Sequence, residues 1–390
     1  MTVDTTSATP PGPCAGIRVI DMSSMVAGPY CSSILADLGA EVIRIESPGS
    51  EPMRAKYPLH NGMAAMFEQM NRGKKSLSLD VKSEEGRKTI YGLVRQADMF
   101  LQNSRPGVME RLGFGYEELK KINPRLIYVS VTGFGETGPF ASRPAYDMVI
   151  QGLCGFMPVQ GRDQGPMAIH ATVVDRVTAM WAANSAMAAL LHRYRTGEGQ
   201  KVSVNMTAAY TSFMLVDQMQ NHTFTKAGLD EVDIWVAAYR ALKTADGAVI
   251  GMVLKREQFV RFCKALNCPD LIEDPRFADA MLILRNGGIL YDRVAETVSK
   301  MTTKDFVALM DQNQIPFGRV NSFEEFMHSD EARHCNVFVE LEDPDYGTMR
   351  HINYPARFGR SPADVTRRAP LLGEHNSEIP QLLAERSKHP

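Results

Sequence analysis

The residue with the most definite chemical capacity in this chain is Asp175, inside the stretch ATVVDRVTAMWAANSAMAALLHRYR (Ala171–Arg195). Val173 and Val174 are β-branched and read as the end of an extended segment, whereas Arg176 to Tyr194 carries Ala, Met, Leu and Trp at helix-compatible spacing. Asp175 is therefore expected at a helix entrance. Unpaired backbone N–H groups and the positive end of the helix dipole would keep its carboxylate ionised and able to attack an activated carbonyl. The same position suits an aspartate that only caps a helix.

A second group of residues has the chemistry of anion binding. Arg72, Lys74 and Lys75 fall in the turn NRGKKS (Asn71–Ser76), and Arg105 follows Gln102, Asn103 and Ser104 in a Pro-Gly loop, with Arg111 one turn further on. Cations on loops near strand ends can hold several phosphates, which fits a nucleotide-like ligand. Any one of them taken alone reads equally as a solvated surface residue.

Other chemistries find little support. Gly133-Phe134-Gly135-Glu136-Thr137-Gly138 satisfies GxGxxG, but Pro139 and Arg143-Pro144 follow where a helix should begin, and no acidic residue ends a later strand at the required distance. A flexible glycine loop near the active site is the better reading. There is no GxSxG elbow and no phosphate-binding GxxxxGK[ST]. The nine histidines lack metal-ligand spacing, although His170 lies five residues before Asp175 and has the chemistry of a base. The six cysteines are scattered, as buried free thiols would be. Met53, Met63, Met66 and Met70 read as apolar core or acyl-pocket lining.

Elements that would position these residues alternate along the chain. Ile17–Asp21, Glu41–Ile45, Ser76–Asp80, Asp98–Gln102 and Leu126–Thr132 read as strands, with helices expected over Tyr30–Leu38, Ser83–Ala97 and Tyr116–Ile122. Such alternation defines an α/β fold with a mostly parallel sheet and helices on both faces. Ligands then bind at the carboxyl ends of the strands. Tyr146–Cys154 reads as a short helix carrying Asp147 and Gln151, and Lys201–Met206 as a further extended segment. Residues 225–330 change character: a strand pair around Thr244–Met252, helices over Arg256–Leu266 and Lys304–Gln312, and loops rich in Asp, Asn and Pro. The expected organisation is a disordered lead-in over 1–15, a large domain over 16–224, a small α+β domain over 225–330 and a return to the large domain over 331–390.

Composition bounds the partners. At 390 residues, 44% apolar, 23% charged and net −2, the chain is ordinary for a soluble globular protein and unlike a general nucleic-acid binder. No apolar run approaches the length that spans a bilayer, and the first residues lack the regions of a signal peptide, so a cytoplasmic location is expected.

Taken together, GIRVIDMSSMVAGPYCSSILADLGAEVIRIE, NRGKKSLSLDVKSEEG, YVSVTGFGETGP with RPAYDMVIQGLCG, the VVDRVTA helix start and the terminal APLLGEHNSEI resemble the class III CoA-transferases, the formyl-CoA and carnitine-type family, from about Gly16 to Ile379. The resemblance implies a Rossmann-like large domain with a small middle domain, and two subunits forming an interlocked-ring homodimer. It implies no tightly bound cofactor; coenzyme A or acyl-CoA is substrate, and a carboxylic acid is acceptor. Asp175 matches the nucleophile that becomes an aspartyl-CoA thioester. Asn103, Arg111 and Tyr146 match CoA contacts, Val26 and Ala27 lie in the loop that approaches the reacting group, and Arg72, Lys74 and Arg105 are candidates for the CoA phosphates.

Departures from the family pattern bear on substrate rather than nucleophile. Val26 stands where the formyl-CoA enzyme has a Gln, Pro48 where a basic residue often meets the phosphates, and the segment before Thr244 lacks a Gly-rich flap. The α-methylacyl-CoA racemases share this fold but need two acid/base groups flanking Cα, with a His in the place of Tyr146. A phenol is a poor base at neutral pH, which favours transfer over racemisation. A CoA-binding paralogue without activity is the third reading, and the intact Asp175 argues against it.

Overall fold

The structure, a computed structural model, describes residues 11–225 and 239–384. Two compact units result: one comprises Met1–Asp217 and His334–Pro390, the other Gln218–Arg333.

The first unit is built on six parallel strands: β1 Arg18–Asp21, β2 Glu41–Glu46, β3 Lys75–Ser78, β4 Met99–Gln102, β5 Ile127–Thr132 and β6 Lys201–Asn205. Their spatial order is β3-β2-β1-β4-β5-β6, that of doubly wound nucleotide-binding folds. Register is in step across the centre, with Ile20 opposite both Ile43 and Phe100. Alternate side chains enter different cores. Val19, Val42 and Val129 face one layer and Ile20, Ile43 and Phe100 the other, as a parallel sheet covered on both faces requires.

Four helices frame the carboxyl edge of this sheet or brace it from its faces: α1 Ala27–Asp37, α2 Glu84–Arg95, α3 Asp147–Leu153 and α4 Val173–Thr196. Ser83 caps α2 by accepting from Gly86 N, and Ile90, Leu93 and Val94 press it onto one face of the sheet. On the other face α1 and α4 share a seam of small residues, Ala27, Cys31, Ala179, Ala182, Ala183 and Ala186. Gly39 (φ +93°) follows α1 and Gly197 (φ +81°) follows α4, each turning the chain in the left-handed region.

Two helix starts differ from expectation. α1 begins at Ala27 rather than Tyr30, because Pro29 is tolerated in a first turn, where no N–H is needed. α4 begins at Val173, so the two valines are helical and Asp175 is the third residue of the helix. The carboxylate of Asp147 accepts from the N–H groups of that first turn, a tertiary contact that outweighs β-branching.

The lead-in expected over 1–15 lies outside the described residues as far as residue 10. Beyond it, Cys14 is buried and its N–H donates to Leu38 O at 2.8 Å. After a hairpin of Phe338–Asp343 and Gly347–Ile352, the C-terminal segment returns to β3: His375 N donates to Ser76 O, and Asn376 brackets the backbone of Ser78.

The second unit is α+β. Leu242–Lys243, Ala248–Gly251 and Phe317–Arg319 form an antiparallel sheet, one strand more than the expected pair. Helices Arg256–Ala265, Gly287–Ser299 and Thr303–Gln312 close over Phe259, Phe262, Phe277 and Phe306. Most of the segment before Thr244, the place of the flap, lies outside the described residues.

Candidate active site

β1 and β4 are neighbours from which the chain winds in opposite directions, so a crevice opens at their carboxyl ends. The loop Met22–Val26 leaves β1 there and runs into α1. Its polar anchors come from four directions. Asp21, fully buried, accepts from Ser23 N at 2.9 Å, from the Ser23 hydroxyl, from Ser32 Oγ at 2.6 Å and from Lys74 Nζ at 3.2 Å. Asn103, just past β4, accepts from Ser24 N at 2.9 Å and donates to Ser24 O at 2.8 Å. Glu51 accepts from Met25 N, whose residue is held at φ +64°. Lys74 Nζ also donates to Pro29 O at 2.8 Å and to Asn71 Oδ1 at 2.8 Å. Val26 and Ala27 are thereby fixed at the head of α1, both buried.

This arrangement gives two of the expected phosphate contacts other partners. Lys74 is 3% exposed and enclosed by Asp21, Asn71 and Pro29. Burial pushes its ammonium down to about 8, against the pull of Asp21. Burial would raise the Asp21 carboxyl, but Lys74 and Arg44 hold it below the usual range. Arg72 is 5% exposed and grips Asp37 with two bonds of 3.1 and 2.6 Å. Cations so engaged are not available at the surface, a context the spacing of NRGKKS does not reveal.

Arg105 and Arg111 are exposed. Arg105 lines a cleft of about 250 Å³ between the ends of β4 and β5, with Gln102, Ser104, Ser130, Thr132 and Glu136. Of the glycine stretch, Glu136 and Thr137 line it. A Cβ on Gly133 would sit 2.1 Å from the Ala145 Cβ, so Gly133 serves close approach of two backbones rather than flexibility. Gly135 and Gly138 adopt φ +96° and +98°. Beside the cleft, Phe134, Pro139, Phe140 and Leu153 line an apolar groove of about 580 Å³.

Asp175 lines neither space. Its N–H and that of Val174 both donate to Asp147 Oδ2, at 3.2 and 2.7 Å. Gln151, one turn along α3, donates to Asp147 Oδ1 at 2.6 Å and accepts from Ile169 N at 2.8 Å. The free N–H groups expected to keep Asp175 ionised are thus occupied by another carboxylate. The consequence is opposite in sign: burial first, and then the charge of Asp147, push the Asp175 carboxyl up to about 7, with Arg176 opposing. The half-buried side-chain carboxyl has no hydrogen-bond or ion-pair partner among the described residues. His170 is exposed on the preceding loop, and Tyr146, the residue before α3, is 63% exposed. The Asp147-x-x-x-Gln151 spacing is the signal that marks the clamp, since i and i+4 share a helix face.

Among the described residues no group of three or more His, Cys, Asp or Glu side chains could hold a metal ion, and no helix is long and apolar enough to cross a membrane.

A doubly wound sheet with a polar cleft at the carboxyl ends of its strands, one strand over from the switch point, and a half-buried carboxyl unpaired among the described residues of the same unit have the architecture of α/β enzymes acting on nucleotide-bearing substrates. Residues 14–376 match the CoA-transferase family III, and the chain belongs to that family of enzymes. It is 32% identical over 379 residues to the succinate–glutarate CoA-transferase of Agrobacterium fabrum, covering 94% of each chain. It is 33% identical to the succinyl-CoA–D-citramalate CoA-transferase of Chloroflexus aurantiacus, over 96% of this chain and 94% of that one. Among solved structures, the D175A mutant of Rv3272 from Mycobacterium tuberculosis is similar with a TM-score of 0.84 and 30% identity, over 95% of this chain and 99% of that one.

Proposed function

We propose that this enzyme moves CoA from a short dicarboxyl-CoA donor of the succinyl type to a carboxylic acid, through an aspartyl-CoA thioester on Asp175. The Asp175 carboxylate attacks the thioester carbonyl and expels the CoA thiolate, leaving a mixed anhydride. The thiolate then attacks the Asp175 carbonyl, forming the aspartyl thioester and releasing the donor acid. The acceptor carboxylate attacks that thioester, again expelling thiolate, which takes the acyl group from the new anhydride and frees Asp175. Each step exchanges one activated acyl group for another, so no nucleotide hydrolysis is needed.

The observation that carries this reading is the Asp175 carboxyl itself, half-buried and unpaired among the described residues at the start of α4. A capping aspartate has its oxygens on N–H groups, and here Asp147 has taken that role. The succinyl class of donor rests on the two named relatives. Asn103, Arg105, Arg111, Tyr146, Val26 and Ala27 are the proposed CoA contacts, with the two exposed arginines at the phosphates. Arg72 and Lys74 are not kept in that role. A homodimer in the cytoplasm is part of the proposal; exposed Met148, Val149, Leu153, Phe213 and Val216 form apolar surface of the kind a partner covers.

The test is mass spectrometry after mixing the protein with succinyl-CoA and trapping with borohydride. A reduced aspartate at Asp175 is expected. An unmodified Asp175 with succinyl-CoA and with every other acyl-CoA tried, together with solvent deuterium entering Cα of a 2-methylacyl-CoA, would replace transfer by racemisation.

A further inference from the structure

Asp147 and Asp175 are joined by more than capping demands. Asp147 is 8% exposed and Gln151 2%. Both oxygens of Asp147 are engaged, Oδ2 by the N–H groups of Val174 and Asp175 and Oδ1 by Gln151 Nε2. Gln151 in turn reaches Ile169 O and Ala171 O at 3.3 Å, so the clamp is fixed to the loop that leads into α4. A neutral serine or asparagine side chain could accept from the same N–H groups. The charge of Asp147 is therefore surplus to capping, and it raises the neighbouring Asp175 carboxyl.

Little else balances that charge. Ile150 of α3, Val174 of α4, and Met206 and Tyr210 of the helix Met206–Met214 form a buried apolar cluster on the elements that carry the pair. Of the titratable groups, Arg176 is exposed on α4 and Cys154 follows α3. From the helix Met206–Met214 comes Tyr210, whose buried hydroxyl has no hydrogen-bond partner among the described residues and is pushed up to about 12 by burial, then Cys154 and Asp147.

We infer that Asp147 is a positioning residue for the transfer reaction: it pins the backbone of Asp175 and opposes the Asp175 carboxylate with a like charge that disappears when Asp175 is acylated. The inference rests on Asp175 being the nucleophile. In the anhydride and in the aspartyl thioester the Asp175 group is neutral, and the negative charge has left on the thiolate or on the released acid. Repulsion thus raises the free carboxylate and leaves both intermediates untouched, which favours acylation. Each pH unit by which Asp147 raises the Asp175 midpoint is about a factor of ten in that equilibrium.

The experiment uses the full chain labelled with 13C-aspartate, the Asp175 signal being assigned by its loss in D175N, and compares wild type with D147N and D147S. Wild type should titrate near pH 7. In both variants the midpoint should fall by at least about one pH unit, the acid limb of kcat/KM for succinyl-CoA should move with it, and the trapped adduct should fall about tenfold, with CoA affinity changed less than about twofold. An unmoved midpoint in D147N and D147S, in a protein whose wild type does form the adduct, overturns the positioning role alone. A wild type that forms no adduct at Asp175 defeats the functional reading, whatever the titration gives. Loss of the folded state in both variants assigns Asp147 to folding and equally overturns the inference.

Discussion

Asn103 grips Ser24 from the neighbouring strand end, accepting its N–H at 2.9 Å and donating to its carbonyl at 2.8 Å. Two strands that diverge in sequence are thereby joined at the crevice where the ligand is proposed to bind. Replacing Asn103 by Ala leaves two part-buried backbone groups without partners and should cost about 1–3 kcal/mol of stability. The freed loop carries Val26 and Ala27, so KM for acyl-CoA should rise about tenfold. Denaturant melts and steady-state kinetics on the one variant read both effects; an unchanged KM would remove the loop from the binding site.

Asp175 predicts a pH dependence of two kinds. Its carboxyl is raised to about 7, so the nucleophilic form is lost as pH falls through 7, and kcat/KM should decline on the acid side. For stability the sign is reversed. A group with a raised folded value favours folding when protonated, and that contribution disappears as pH rises from the usual aspartate value through about 7. D175N should therefore match wild type near pH 4 and melt above it at pH 8, while losing transfer by a factor of about 10³ or more. Equal melting temperatures at both pH values would mean that the site is not strained by charge.

Lys74 and Arg105 separate structure from binding. K74M removes the shorter of the two ion pairs of buried Asp21, leaving it to Arg44 at 3.8 Å, and should lower stability by about 3 kcal/mol. Guanidinium unfolding measures it directly. A stable K74M with weakened CoA binding would restore Lys74 to the phosphates.

R105A should do the reverse. Its side chain lines the cleft, and loss of a charged contact to phosphate weakens CoA binding by roughly 10 to 100-fold, with the melting temperature unchanged. Calorimetric titration at two salt concentrations would add a reduced salt slope; affinity equal to wild type would exclude Arg105 from the phosphate site.

The strands at the centre of the sheet are legible in the sequence from short β-branched runs, VI in RVID, VI and I in EVIRIE, and IYVSVT, set between helix signals; that the charged Arg18, Asp21, Arg44 and Glu46 among them are also buried is not legible, because their partners lie elsewhere in the chain. Asp175 is legible as a residue, though its electrostatics are not. Local sequence implies a helix start and hence a positive dipole, whereas burial and then the charge of Asp147, 28 residues away, push the carboxyl the other way. For the same reason Arg72 and Lys74 look like surface cations. Their partners Asp37 and Asp21 are 35 and 53 residues distant, and ion pairs of that span leave no trace in spacing.

The alanine seam between α1 and α4 has a mechanical meaning. Both helices begin at the carboxyl edge of the sheet, one under Val26 and Ala27, the other under Asp175. Side chains as small as Ala27, Ala182 and Ala183 let the two helices press together as a single strut. The gap between the loop and the proposed nucleophile is then gauged by side-chain volume deep in the core. A leucine at Ala183, overpacking the seam at about 1–3 kcal/mol, would act as a wedge on the reaction geometry without touching a single reacting group.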